Sequence, residues 1–159
     1  MKIRLAALAA VFAVAFAFGA QAQVPQYGGQ ITLDQAKMAV AAAVAESRKN
    51  SWPMAIAIVD NHGMLVAFEK LDNTQTASVQ VSIDKAVSAA TYRRPTKVFQ
   101  DLVAGGGVGL RALNLRGAST VEGGLPIVVD GKILGGIGVS GMASDQDGVV
   151  AKAGADAVK

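Results

Sequence analysis

The chain has 159 residues, 52% of them hydrophobic, with 15 basic and 12 acidic side chains, no cysteine and one histidine. That length suits a single domain. The absence of cysteine excludes a disulfide scaffold, a zinc ribbon and a thiol nucleophile, and a lone histidine excludes any site needing two imidazoles.

The first 22 residues read as a secretory signal peptide. Lys2 and Arg4 supply the positive start, Leu5 to Phe18 is an uncharged apolar run, and Ala20-Gln21-Ala22 places small residues where a signal peptidase reads. A run of 14 residues is short for a membrane span, so no stable span is expected once the segment is cleaved. Without Lys2 and Arg4 the remainder holds 13 basic and 12 acidic side chains, a net charge near +1. A whole-protein basic field for nucleic acid is therefore not expected. The expected location is the periplasm or outside the cell.

Residues 23–30 read as a polar, mobile lead-in, and 31–159 as one domain. Thr32 opens a helix to about Lys49, with Gln35 completing a capping box and Leu33, Ala36, Val40, Ala43 and Val44 at helical spacing. Met54–Val59 and Met64–Leu71 form a β-hairpin about the turn Asp60-Asn61-His62-Gly63. Small Ala55 and Ala57 alternate with Met54, Ile56 and Ile58, which suits a helix packed closely on one face. A second helix spans Ala77–Tyr92, with Lys85, Ser88 and Tyr92 together on one side. Arg93-Arg94-Pro95 ends it. Thr96 is placed to cap a short helix over Lys97–Ala104, and Gly105–Gly107 breaks that helix before a loop with one turn near Leu110–Leu113. Leu125–Val129 and Lys132–Ser140 form a second hairpin about Asp130-Gly131. Ser144 with Asp147 suggests a capping box for a last helix to Val158. The pattern predicts an α+β fold, a single antiparallel sheet of two hairpins flanked by helices.

Several motifs match known chemistry only superficially. Gly136-Ile137-Gly138-Val139-Ser140-Gly141 fits G-x-G-x-x-G, yet it lies within a hairpin strand and no second parallel strand follows, so close packing explains it better than a dinucleotide. Gly105–Gly109 lacks the Lys-Ser/Thr of a phosphate loop and reads as a helix break. Asp145-Gln146-Asp147-Gly148 does not continue as a calcium loop, and capping explains its aspartates better. No Ser-His-Asp set can be assembled around the single imidazole.

Two places remain. His62, at the tip of the first hairpin, is either a solvated turn residue, an axial ligand to haem iron or one arm of a weak metal site whose other ligands differ. Tyr92, Arg93, Arg94 and Lys97 put three cations and an aromatic ring within six residues, a pattern suited to binding carboxylates as well as to neutralising a helix C-terminus.

The blocks ITLDQAKMAVAAAVAESRKNSWPMAIAIVDNHGMLVAFEKLDNTQTASVQVSIDKAVSAATYRRPTKVF and EGGLPIVVDGKILGGIGVSGMASDQDGVVAKAGADAV resemble the GlcG/HbpS-like family of haem-binding or haem-degrading domains, related to the C-terminal part of PduO-type proteins. The resemblance covers about residues 31–157. It implies a profilin-like three-layer domain, homo-oligomeric assembly and haem as the cofactor. Some relatives carry a His where this chain has Met64, so the resemblance leaves His62, Met64, Met142 and Tyr92 as alternative iron ligands. Its functional reading is an exported protein that scavenges, sequesters or slowly degrades haem, more a binding protein than an enzyme. The alternative is a periplasmic accessory or sensory module that binds a small organic acid or a partner protein without haem.

Overall fold

The computed structural model describes residues 24–159, so the signal segment lies outside the described residues. The elements in chain order are β1 (Gln26–Tyr27), α1 (Leu33–Lys49), β2 (Ala55–Asp60), β3 (Leu65–Lys70), α2 (Ser78–Tyr92), α3 (Lys97–Ala104), a 3-10 helix (Gly107–Asn114), β4 (Gly124–Val129), β5 (Lys132–Ser140) and α4 (Ser144–Asp156). Among the described residues no helix is long and apolar enough to cross a membrane.

β5 is the hub of one open five-stranded sheet. It pairs antiparallel with β4 on one edge and with β2 on the other, and β2 continues to β3. The two predicted hairpins are thus joined into one sheet. Within the polar lead-in, Gln26 and Tyr27 run parallel to Lys132 and Ile133 of β5, beyond the end of β2. The Tyr27 hydroxyl donates to the carbonyls of Thr91 (2.9 Å) and Ala90 (3.2 Å), tying this strand to α2.

The strand pattern sorts the helices into two layers. Ile56, Ile58, Ile137 and Val139 share one face and pack with Ala36, Ala39, Val40, Ala43 and Val44 of α1 and Val150 and Ala151 of α4. Ala57 and Val59 occupy the other face with Ala86 and Ala90 of α2. Their cross-strand partners are Gly138 and Gly136. A Cβ on Gly138 would collide with the Ser82 carbonyl oxygen, and one on Gly136 would fall 2.5 Å from that of Ala86. The glycine-rich strand is therefore a bed for α2, as close packing requires.

The capping box at α1 forms: Gln35 N–H donates to Thr32 Oγ1 (3.2 Å) and Thr32 N–H to Gln35 Oε1 (3.1 Å). Two other predicted caps do not. Thr96 makes no side-chain cap. Instead its N–H donates to the Gly124 carbonyl (3.0 Å) and its hydroxyl accepts from Gly124 N–H (2.9 Å), clasping the start of α3 to β4. At α4 the cap position is Ala143, whose N–H donates to Gln146 Oε1 (3.2 Å). Asp147 points inward rather than back to Ser144. A buried cation outcompetes the local cap there.

Candidate functional site

The turn Asp60–Gly63 sets the position of the single histidine. Asp60 closes β2 and its Oδ1 accepts from the N–H groups of both His62 (2.8 Å) and Met64 (2.9 Å). Gly63 takes φ +85°, a conformation glycine adopts without strain. Its α-carbon rests on α2, because a Cβ there would lie 3.3 Å from Val87 and 3.4 Å from Thr91. Asn61 Nδ2 donates to the Gly28 carbonyl (2.9 Å), while its Oδ1 is buried without a partner. The imidazole is thus exposed on a turn whose backbone is pinned from three sides.

Val87 is also a wall of an open cleft of about 500 Å³ between the outer side of α2 and residues 117–121. Val81, Val87, Ala118 and Val121 make it largely apolar, and Asp84 is its acidic side chain. Two side chains of α2 hold the loop wall. Ser88 Oγ accepts from Ser119 N–H (3.0 Å), and the Tyr92 hydroxyl donates to the Arg116 carbonyl (2.7 Å). Lys85, Ser88 and Tyr92 share one side of α2, as their spacing indicated, and the structure shows that side reaching inward at Lys85 and across to this loop at Ser88 and Tyr92.

The other predicted residues separate. Arg93 turns toward β1, with its guanidinium carbon 5.5 Å from the centre of the Tyr27 ring. Arg94 lies over Phe99, 5.8 Å from the ring centre, and its Nε donates to the Tyr92 carbonyl. Tyr92 meets the same Phe99 edge-on at 5.2 Å. Lys97 pairs with Asp101 at 2.8 Å and with Glu122 at 3.8 Å. The hydrogen bond to Asp101 keeps its ammonium charged above the usual lysine range. The four residues thus do not converge on one anion: Arg93 faces one way, and Arg94 and Lys97 lie along α3. Met64 is 65% exposed beside His62, whereas Met142 follows β5 at the opposite end of the sheet.

The sequence reading missed two features. One is the Val81–Val87 cleft wall, which as a short apolar stripe is indistinguishable from core packing. The other is a buried ion pair, Lys85 with Asp147, at 2.7 Å.

Helices on both faces of one largely antiparallel five-stranded sheet make a three-layer α+β domain, which is not the doubly wound parallel sheet of nucleotide-binding folds. Residues 31–156 match the family described as haem degrading protein HbpS-like, and the chain belongs to that family. It is 38% identical over 110 residues to protein GlcG of Escherichia coli K12, covering 69% of this chain and 81% of that protein. Among solved structures, a double mutant of HbpS from Streptomyces reticuli superposes with a TM-score of 0.75 at 26% identity, covering 98% of this chain and 99% of that one. A structure described as the PduOC:heme complex superposes with a TM-score of 0.73 at 25% identity, covering 82% of this chain and 96% of that one.

Proposed function

We propose that this is an exported haem-binding protein that scavenges or sequesters haem in the cleft along α2. The observation that carries the placement is the contact of the His62 turn with Val87, which makes one wall of that cleft. The donor chemistry fits. Among the described residues no three His, Cys, Asp or Glu side chains gather to hold a bare ion. Haem brings its own four nitrogens and would ask the chain for a donor to the iron, an apolar bed and a cation for its propionates. His62 would hold the iron, Val81, Val87 and Val121 would form the bed, and Arg116, next in sequence to the cleft residue Gly117, would meet a propionate. The volume lies within the range of small-ligand sites. Family membership and the haem complex of a relative support the same reading.

Haem, when bound, would supply a redox-active iron, and the chain's own residues would bind and orient it. Titration of the purified protein with hemin tests the proposal. The expected result is a saturable Soret band displaced from that of free hemin and lost or shifted in His62→Ala, with Met64→Leu unchanged. A spectrum identical to free hemin overturns haem binding. An unaltered His62→Ala spectrum overturns the ligand assignment alone.

Export belongs to the same proposal and rests on residues 1–22. Expression with the full leader should yield a periplasmic or secreted protein whose mass starts at Gln23. Homo-oligomeric assembly is the third part. Large apolar side chains on α3 and the 3-10 helix, Leu102, Val108 and Leu113 among them, are 46%, 69% and 60% exposed. Burial in an assembly would account for them. Light scattering at micromolar concentration should give a multiple of the chain mass.

A further inference from the structure

A second cleft, of about 410 Å³, lies over the open edge of β4. It shares no lining residue with the α2 cleft. Its apolar walls are Pro25, Pro95, Leu125, Pro126 and Val128, and its two cations are Arg93 and Lys152. Three prolines make the walls stiff, since each fixes its own φ. Pro126 also withholds an N–H from the β4 edge, which discourages addition of a peptide strand there.

The two cations differ in what they already hold. Lys152 is paired with Asp156 of the same helix, so that corner is neutral overall. Arg93 is half-buried and held in place twice. Its backbone takes φ 56° as the left-handed cap of α2, with its N–H donating to the Ala89 carbonyl, and its guanidinium stacks on Tyr27. Tyr27 is fixed in turn by its hydroxyl on the Ala90 and Thr91 carbonyls. Yet among the described residues no carboxylate or carbonyl accepts a hydrogen bond from the Arg93 guanidinium. A guanidinium fork with its donors unspent, stacked, and beside an apolar wall matches a carboxylate attached to an apolar body.

We propose that this cleft is a binding site for a small monocarboxylate with an apolar tail, its carboxylate on Arg93 and its tail on Leu125, Pro126 and Val128. The site stands independently of the haem reading, because it uses neither His62 nor the α2 cleft. Tail length sets affinity through contact with the prolines, and the charge on Arg93 selects acid over amide.

The test is amide-resolved NMR titration of the purified protein with octanoate, octanamide and acetate. Octanoate should give saturable shifts at Val128, Lys152 and Ala155, while acetate and octanamide bind more weakly. Arg93→Gln should weaken octanoate binding by about fivefold or more, as loss of a charge-assisted bond implies. Arg93→Gln is also compared with the wild type for thermal unfolding, and Val128→Asp gives a second variant that repels the acid while leaving Arg93 and its stack intact. Equal binding of octanoate and octanamide, shifts confined to Val81, Val87 and residues 117–121, or octanoate affinity unchanged in both variants, overturns the proposal.

Discussion

Lys85 and Asp147 join helices on opposite faces of the sheet. Lys85 leaves α2 and reaches past the end of β5, where its Nζ donates to Asp147 Oδ2 of α4 (2.7 Å) and to the Val139 carbonyl (3.0 Å). Their side chains are 1% and 3% exposed. Asp147 Oδ1 accepts from Met142 N–H (3.2 Å), so both carboxylate oxygens are used. This pair is a bolt through the three layers, and loss of Lys85 is costly because it leaves Asp147 a buried, unpaired carboxylate. Lys85→Met should destabilise the fold by about 3–5 kcal/mol, and the double replacement Lys85→Met, Asp147→Leu by less than the single one. Urea unfolding of the two single variants and the double variant, as a cycle, measures the coupling.

The same pair sets a pH dependence. Burial pushes the Asp147 carboxyl above its ordinary value of 3.8, against the lowering influence of Lys85 and the Met142 N–H. A folded-state acid with a raised pKa takes up its proton before the unfolded chain does. Its contribution to stability therefore falls as pH rises from about 3.8 through the raised folded value, and grows as pH falls through that window. Asp147→Asn cannot titrate. The stability of the wild type relative to Asp147→Asn should accordingly improve on acidification, a difference in which the other carboxylates cancel. Urea midpoints for both proteins at a series of acidic pH values give the sign.

These particulars show what was legible in the sequence. The alternation of Ala55 and Ala57 with Ile56 and Ile58 marked a strand with a helix packed closely on one face, and Thr32 with Gln35 marked the start of α1, because both signals are local. That β2 is covered on its other face too came only with the structure. Lys85–Asp147 spans 62 residues, and neither partner advertises burial: lysine is normally solvated, and Asp147 follows Ser144 at the spacing of a capping box. The local reading of Asp147 failed where a long-range partner outweighed a cap. Tyr92 to Lys97 looked like one cationic patch because the residues are adjacent in sequence. The left-handed turn at Arg93 sends its side chain to Tyr27 while Arg94 follows α3, and no periodicity predicts that divergence.

Close approach of α2 to β5 leaves no room for a methyl group. At Gly138 an added Cβ would collide with the Ser82 carbonyl oxygen and the Ala86 nitrogen, both backbone atoms of a packed helix that cannot rotate away. Gly138→Ala must therefore push α2 off the sheet. The expected loss is at least about 2–3 kcal/mol, at the upper end of overpacking costs. Gly29→Ala, where nothing lies within 4 Å, should be near neutral. Thermal unfolding of the pair separates steric cost from any general effect of removing a glycine.

The Thr96–Gly124 clasp predicts an ordering among three side chains. Both residues are buried, and the Thr96 hydroxyl is the acceptor for the Gly124 N–H. Thr96→Val keeps the shape and orphans that N–H, a loss of about 1–3 kcal/mol. Thr96→Ser keeps the acceptor and loses only a methyl group, so it should be the milder change, with Thr96→Ala the worst of the three through loss of both. Urea unfolding of the three variants gives the order directly.

Asp60 links the fold to the proposed haem ligand. Its carboxylate is the acceptor that closes the turn over His62 and Met64, and the residue is only 9% exposed. Asp60→Ala frees both N–H groups and lets the imidazole wander, although His62 itself is untouched. Two charge-assisted bonds to a buried carboxylate imply a stability loss of about 2 kcal/mol. A purely structural role would end there. As a positioning residue, Asp60 should also alter the hemin complex of the protein that remains folded: a displaced or broadened Soret band and faster hemin transfer to an excess of a competing acceptor. Asp60→Asn retains an oxygen acceptor at the same place, so it should recover most of the wild-type spectrum. An Asp60→Ala complex with the wild-type Soret band and transfer rate would detach the turn from iron binding.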